Sequence, residues 1–182
     1  MTLSHMLVFA TEERQHAILE QCRSSGISWK KEEISDHTGE VALVYVLDAF
    51  GLPVQIFPCN DFHRDGDFEL GFAAESESKW AAFLSHMQTH NIAFETGSFS
   101  DGGFYAIPTK PHGPAFFLYP APKADITKLC AIQAELPAGD FRFFKDYVQP
   151  WLDDTIARKC IFHEGTRFFL TAISFNAVGS II

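Results

Sequence analysis

The chain has 182 residues, a net charge of −9, 47% hydrophobic residues and 20% charged residues, which suits one or two globular domains with a full core. The acidic balance argues against nucleic acid as a partner, because phosphate binding needs clustered Lys and Arg, and it favours cationic ligands by steering. With no secretory leader and no run of eighteen apolar residues, the expectation is a cytoplasmic protein with no membrane partner.

The first predicted strand covers residues 4–10, "SHMLVFA". Thr11 then suits a helix N-cap, and Glu12 and Glu13 suit the positive first turn. Gly26 stops this helix in the left-handed position that follows a C-cap, and Ile27 opens a second strand. "ISDHTGEVALVYV" reads as a hairpin turning after Ser35 and Asp36, and "GLPVQIFP" closes the unit at Pro58.

The connection that follows, "CNDFHRDGDFE", puts Asp61, His63, Asp65, Asp67 and Glu69 at alternate positions. In extended backbone these would point one way and could meet on an ion. The spacing half-imitates a calcium loop, but the twelfth position, which needs a bidentate carboxylate, is Phe72. Its Asn, Asp and Gly content is what a surface connection needs, and a connection is the expectation.

A second unit begins with a strand over residues 68–74. Ser76 caps a helix in which Trp80, Phe83, Leu84 and Met87 form one apolar face, and Asn91 ends it. "FSDGGFYAI" and "GPAFFLYP" then match the hairpin and closing strand of the first unit. Gly26 and Asn91, Ile27 and Ile92, Ser35 and Ser100, and Asp36 and Asp101 all lie 65 residues apart. Each unit therefore reads strand, helix, strand, strand, strand, an internal repeat.

A shorter third unit follows a linker at 120–128. "KLCAIQAEL" is a strand, and Asp140 is placed to cap a helix carrying Phe141, Phe144, Val148 and Trp151, with Pro150 stopping it. "ARKCIFHEGTRFFLTAIS" reads as a hairpin turning at Glu164 and Gly165, and the apolar tail "FNAVGSII" is expected to pack on the protein or on a partner chain. The expected class is α+β, with βαβββ modules over residues 1–60 and 67–122 and a βαββ unit over 125–182.

Cys22, Cys59, Cys130 and Cys160 are far apart and form no CxxC pair, so they read as reduced thiols, with no nucleophile assigned. No two of His37, His86, His112 and His163 share a spacing that would place them on one ion. The 19 phenylalanines mostly fill core, but so many rings can also line a pocket for a flat ligand.

The tandem units, with "SHMLVFAT" opening and "PVQIFP" closing the first, resemble the vicinal oxygen chelate superfamily over residues 4–120. That superfamily includes glyoxalases, extradiol dioxygenases and bleomycin or fosfomycin resistance proteins. The resemblance implies curved mixed sheets forming a cleft for ligand or metal, with metal ligands on the first and last strands of each module. The equivalent positions here are His5 and Gln55 in the first module, and Phe68 and Phe117 in the second. Glu69 is one residue out of register and is expected on the other face of its strand. Two rings in place of ligands argue against metal, and no metal or other cofactor is expected.

What remains is an aromatic-lined cleft. Gln55 and Phe57 share a face, as do Phe117 and Tyr119; Tyr45 and Tyr105 add hydroxyls, and Trp29 and Phe94 occupy matching places. The ligand-binding set is thus His5, Trp29, Tyr45, Gln55, Phe57, Phe68, Tyr105, Phe117 and Tyr119. The leading function is non-catalytic sequestration of a small aromatic or cationic compound. A metal-dependent lyase or dioxygenase using His5, Gln55 and Glu69 is the first alternative. The second is an acidic interaction or inhibitor module, including a homodimer joined through the third unit.

Overall fold

The computed structural model describes residues 1–35, 41–98, 103–109, 115–118, 124–176 and 178–182, with backbone alone at Ser35 and 115–118. The first half runs β1 (Thr2–Ala10), α1 (Glu12–Ser24), β2 (Ser28–Ser35), β3 (Val41–Ala49) and β4 (Leu52–Pro58). The second runs β5 (Phe68–Ala73), α2 (Glu77–Thr89), β6 (Phe94–Ser98), β7 (Phe104–Pro108) and β8 (Ala115–Leu118). The eight strands β1 to β8 form one sheet of two equal parts, in the order β2-β3-β4-β1-β5-β8-β7-β6.

 The two first strands, β1 and β5, meet antiparallel at its centre, and each runs parallel to the last strand of its own half.

Local chemistry explains the helix ends. Thr11 and Ser76 are the N-caps, their hydroxyls accepting from the backbone N–H of Arg14 at 3.4 Å and Lys79 at 3.2 Å. Gly26 and Asn91 take positive φ just past the C-caps, and the next residues, Ile27 and Ile92, donate back to the carbonyls of Cys22 and Met87. The same cap at both helices turns each chain segment back toward the sheet.

Strand alternation gives the sheet one apolar face. Met6, Val8, Ala10, Val54, Ile56, Leu70 and Phe72 meet Ile18, Leu19 and Cys22 of α1 and Phe83 and Met87 of α2 in one continuous core. Burying such side chains contributes roughly 1.5–3 kcal/mol each, which makes this face the main source of stability.

The third unit comprises β9 (Leu129–Pro137), α3 (Ala138–Phe143), α4 (Asp154–Lys159), β10 (Cys160–Gly165), β11 (Phe169–Phe175) and β12 (Gly179–Ser180). Its strands form a separate sheet in the order β10-β9-β11-β12. It packs on the helix-bearing face of the large sheet: Phe68 meets Phe162 and Phe168, and Trp151 lies edge-on to Phe83 at 5.5 Å. The tail packs on its own chain, with Ile181 fully buried. Among the described residues no helix is long and apolar enough to cross a membrane.

Two expectations for this unit are corrected. The strands after α4 do not form a hairpin: β9 lies between them, parallel to β10 and antiparallel to β11. The helical crossover from β9 requires a parallel strand, and β11 is then held on the other side, where the N–H of Leu170 donates to the carbonyl of Gly66 at 2.8 Å. Asp140 is not a cap either. Pro137 precedes the helix, and Asp140 sits in its first turn, where a carboxylate suits the helix dipole. The helix passes through a π turn at Phe144–Val148 and ends in a 3-10 turn containing Pro150.

Candidate functional site

The face of the large sheet away from the helices carries the polar groups. In β1, a register shift between Leu3 and His5 breaks the alternation, so that Leu3 and Met6 both enter the core and His5 turns away from it. Leu7 and Phe9 follow on the same face. Leu7 pairs with Gln55 on β4 and with Glu69 on β5, and Gln55 pairs with Val46 on β3, which makes a row Val46, Gln55, Leu7, Glu69. Phe57 lies beside Phe9 in the next row, with ring centroids 5.6 Å apart.

His5 occupies space that Gly71 leaves: a Cβ added at Gly71 would stand 2.4 Å from the imidazole Cε1. The His5 Nδ1 is 3.1 Å from the Ser4 hydroxyl. Burial holds the imidazole below its ordinary value, opposed by the nearby carboxylate of Glu69. At neutral pH His5 is therefore an uncharged group that can donate or accept one hydrogen bond.

His63 comes to this face from the connection between the halves. Its ring stacks on Phe9 at 3.8 Å with planes 5° apart, and its Nε2 is 3.4 Å from Glu69 Oε1. Asn60 fixes it, because Asn60 Oδ1 accepts from the backbone N–H groups of Phe62 and His63 and faces His63 Nδ1 at 3.2 Å.

The carboxylates of the connection have separate hydrogen-bond partners. Asp65 accepts from the backbone N–H of Thr11 and from Arg14, while Asp67 turns inward to accept from the N–H of Arg64 at 2.7 Å. These carboxylates diverge to different partners. Gly66, at φ +89°, lets the chain bend where it abuts Phe169 and donates to the carbonyl of Phe9.

Of the expected ligand-binding residues, His5, Gln55 and Phe57 share this face. Tyr105 is at the register position of Phe117, which pairs with Ala73, and it stands over Gly97 on the far half of the sheet. Phe117 is described by its backbone only, and Tyr119, His37 and His112 lie outside the described residues.

Three expected residues face the helices instead. Phe68 is 3% exposed within the core, so the assignment of Phe68 to the cleft and of Glu69 to the opposite side is reversed. Tyr45 pairs with the fully buried Ile56, and Trp29 pairs with Leu47 and lies edge-on to Tyr45 at 5.5 Å. Phe94, the counterpart of Trp29, packs edge-on to Phe83. In "FELGF" the apolar alternation already marks Phe68, Leu70 and Phe72 as one face, which was the signal for Glu69. "VALVYVLDA" is apolar on both faces and gives no such signal. Nothing local marks Phe9 or His63, which meet only through tertiary contact.

The resemblance implies a divalent ion held by the first and last strands of each half. The four equivalent strands offer an imidazole at His5, an amide at Gln55, a carboxylate at Glu69 and a phenyl ring at Phe117. Glu69 is already engaged by His63, and among the described residues no three His, Cys, Asp or Glu side chains converge. The described residues do not make a divalent-ion site of the usual three or four strong donors.

No protein-family model matches the sequence, and no curated protein matches it. Solved structures do match the fold. The Mn(II)-bound glyoxalase from Novosphingobium aromaticivorans aligns over 96% of this chain at 14% identity with a TM-score of 0.55. This chain spans 64% of that protein's length. A glyoxalase/bleomycin resistance protein/dioxygenase superfamily member from Vibrio splendidus aligns over 64% of this chain and 97% of its own, at 12% identity and a TM-score of 0.40. Methylmalonyl-CoA epimerase from Mycobacterium tuberculosis aligns over 66% and 89%, again at 12% identity and 0.40. The chain has the vicinal oxygen chelate fold.

Proposed function

We propose that this protein binds a small planar or cationic molecule on the polar face of its eight-stranded sheet and sequesters it without chemical conversion. The observation that carries this reading is the juxtaposition of the Phe9 and Phe57 rings with the carboxylate of Glu69, side by side on one face. Aromatic faces hold a flat molecule by stacking, and a half-buried carboxylate fixes a cation or N–H donor more firmly than bulk water does. Gln55 adds an amide that can donate and accept, and His5 adds a neutral imidazole. The net charge of −9 brings cations toward the protein.

Cys22 and Cys160 are buried in the core, and burial pushes their thiols up to about 11 and about 12, so neither supplies a thiolate. Native mass spectrometry of the purified protein tests the reading. A small-molecule mass carried by the wild type and lost in Gln55→Ala or Glu69→Gln is the expected result. One equivalent of divalent metal, lost in His5→Ala together with a lyase or dioxygenase activity, would replace it with the metal-dependent reading.

A further inference from the structure

The contacts of His63 describe a ligand. Its ring is flat against Phe9, with centroids 3.8 Å apart and planes 5° from parallel. Its two nitrogens face two acceptors on opposite edges, Glu69 Oε1 at 3.4 Å and Asn60 Oδ1 at 3.2 Å. The orientation of the Asn60 amide is set independently, because the same oxygen accepts from two backbone N–H groups, those of Phe62 and His63. The subsite thus offers a stacking platform and acceptors for two in-plane N–H groups.

We propose that the Phe9–Glu69 subsite recognises a planar amidinium or imidazolium group and that His63 occupies it as an internal stand-in, displaced when such a ligand enters. This deepens the binding function argued above and rests on it. Three features support it. The acceptors suit N–H donors and repel anions, so carboxylate and phosphate ligands are excluded. The ring face favours a flat cation over an ammonium of similar charge, since stacking adds to the electrostatic attraction. The side chains of His63 and Glu69 are 19% and 28% exposed, so a ligand reaches them from solvent once the His63 ring leaves.

His63 belongs to a connection held at both ends, not to the sheet. Its downstream anchors are the Gly66 N–H to the Phe9 carbonyl, at 2.9 Å, and the Phe9 N–H to the Asp67 carbonyl, at 2.8 Å. The sheet's own ladder contains none of residues 59–67, so the His63 ring can be displaced without breaking strand pairing. Phe62, beside it, is 80% exposed.

Calorimetric titration with benzamidine, and separately with imidazole, tests the proposal in wild type, His63→Ala, and His63→Ala combined with Glu69→Gln. If the native ring fills the subsite nine-tenths of the time or more, its removal tightens binding by about tenfold or more. The added Glu69→Gln change should abolish that gain. Thermal unfolding checks that the variants fold, and Asn60→Ala in the His63→Ala background, which removes the second acceptor, should weaken binding again. No gain in His63→Ala, or a gain that survives Glu69→Gln, overturns the proposal. If the gain is missing while wild-type protein still carries a small molecule that Gln55→Ala releases, only the subsite assignment fails. If that molecule is missing too, the binding reading fails with it.

Discussion

Phe68 and Glu69 are neighbours in the chain and opposites in environment: the ring is 3% exposed among core rings, and the carboxylate meets His63 across the polar face. The two are expected to separate stability from binding. Phe68→Ala removes a core ring and should cost about 3–5 kcal/mol in urea unfolding. Glu69→Gln breaks a partly exposed pair and should cost less than about 1 kcal/mol, while weakening ligand binding about tenfold or more. Comparable stability losses in both variants would refute this division of the strand.

His5 adds a pH dependence at the same scale. Its folded value lies below the ordinary 6.5 because burial disfavours the imidazolium. The unfolded chain therefore binds a proton near that pH that the folded chain refuses, so stability from this group is intact above 6.5 and falls as pH drops toward the folded value. His5→Gln should flatten the stability profile between about pH 7 and pH 5, read as the urea midpoint. A wild-type profile unchanged by the substitution would sink the argument.

At the scale of elements, the caps carry predictions that do not depend on ligand. Thr11→Ala and Ser76→Ala each remove an N-cap acceptor and should each cost about 1 kcal/mol. Thr11→Ala should cost more, because the Thr11 hydroxyl also lies 3.4 Å from Asp65 and so ties α1 to the connection. Equal and negligible losses in urea titrations would count against both caps.

Much of this level was legible in the chain. The residues past each helix, Gly26 and Asn91, take the positive φ that their types favour, and the apolar face of α2 is buried at Phe83 and Met87. Where a strand is apolar on both sides, as in β3, alternation cannot say which side meets the helices, and Tyr45 was misplaced for that reason. In the third unit, local turn signals at Glu164 and Gly165 suggested adjacent strands, whereas β9 takes the place between them. Pairing is settled by burial across the whole sheet, which a turn does not encode.

At the scale of the molecule, one core runs through all three units: Phe72 and Met87 share it with Ile132, Leu170 and Ile173. The third unit is therefore expected to unfold together with the other two. Ile173→Ala, at a fully buried position, should cost about 2–5 kcal/mol and shift a single cooperative transition. An early separate transition, with the large sheet intact, would show instead that the units are independent. The apolar side of the third unit faces this internal core, and the unit lies across the helix-bearing face, on the opposite side of the large sheet from the polar face.

The elements of the two halves, their caps and the α+β class can be read from the chain alone, because they follow from local periodicity and from residues with restricted backbone geometry. Which face of each strand carries the candidate site was settled by tertiary packing. The bulge before His5 resets the phase of β1, the third unit claims Phe68 for the core, and the connection brings His63 onto Phe9 and Glu69. These outcomes depend on contacts between residues distant in the chain, whose energies exist only once the sheet is closed and packed.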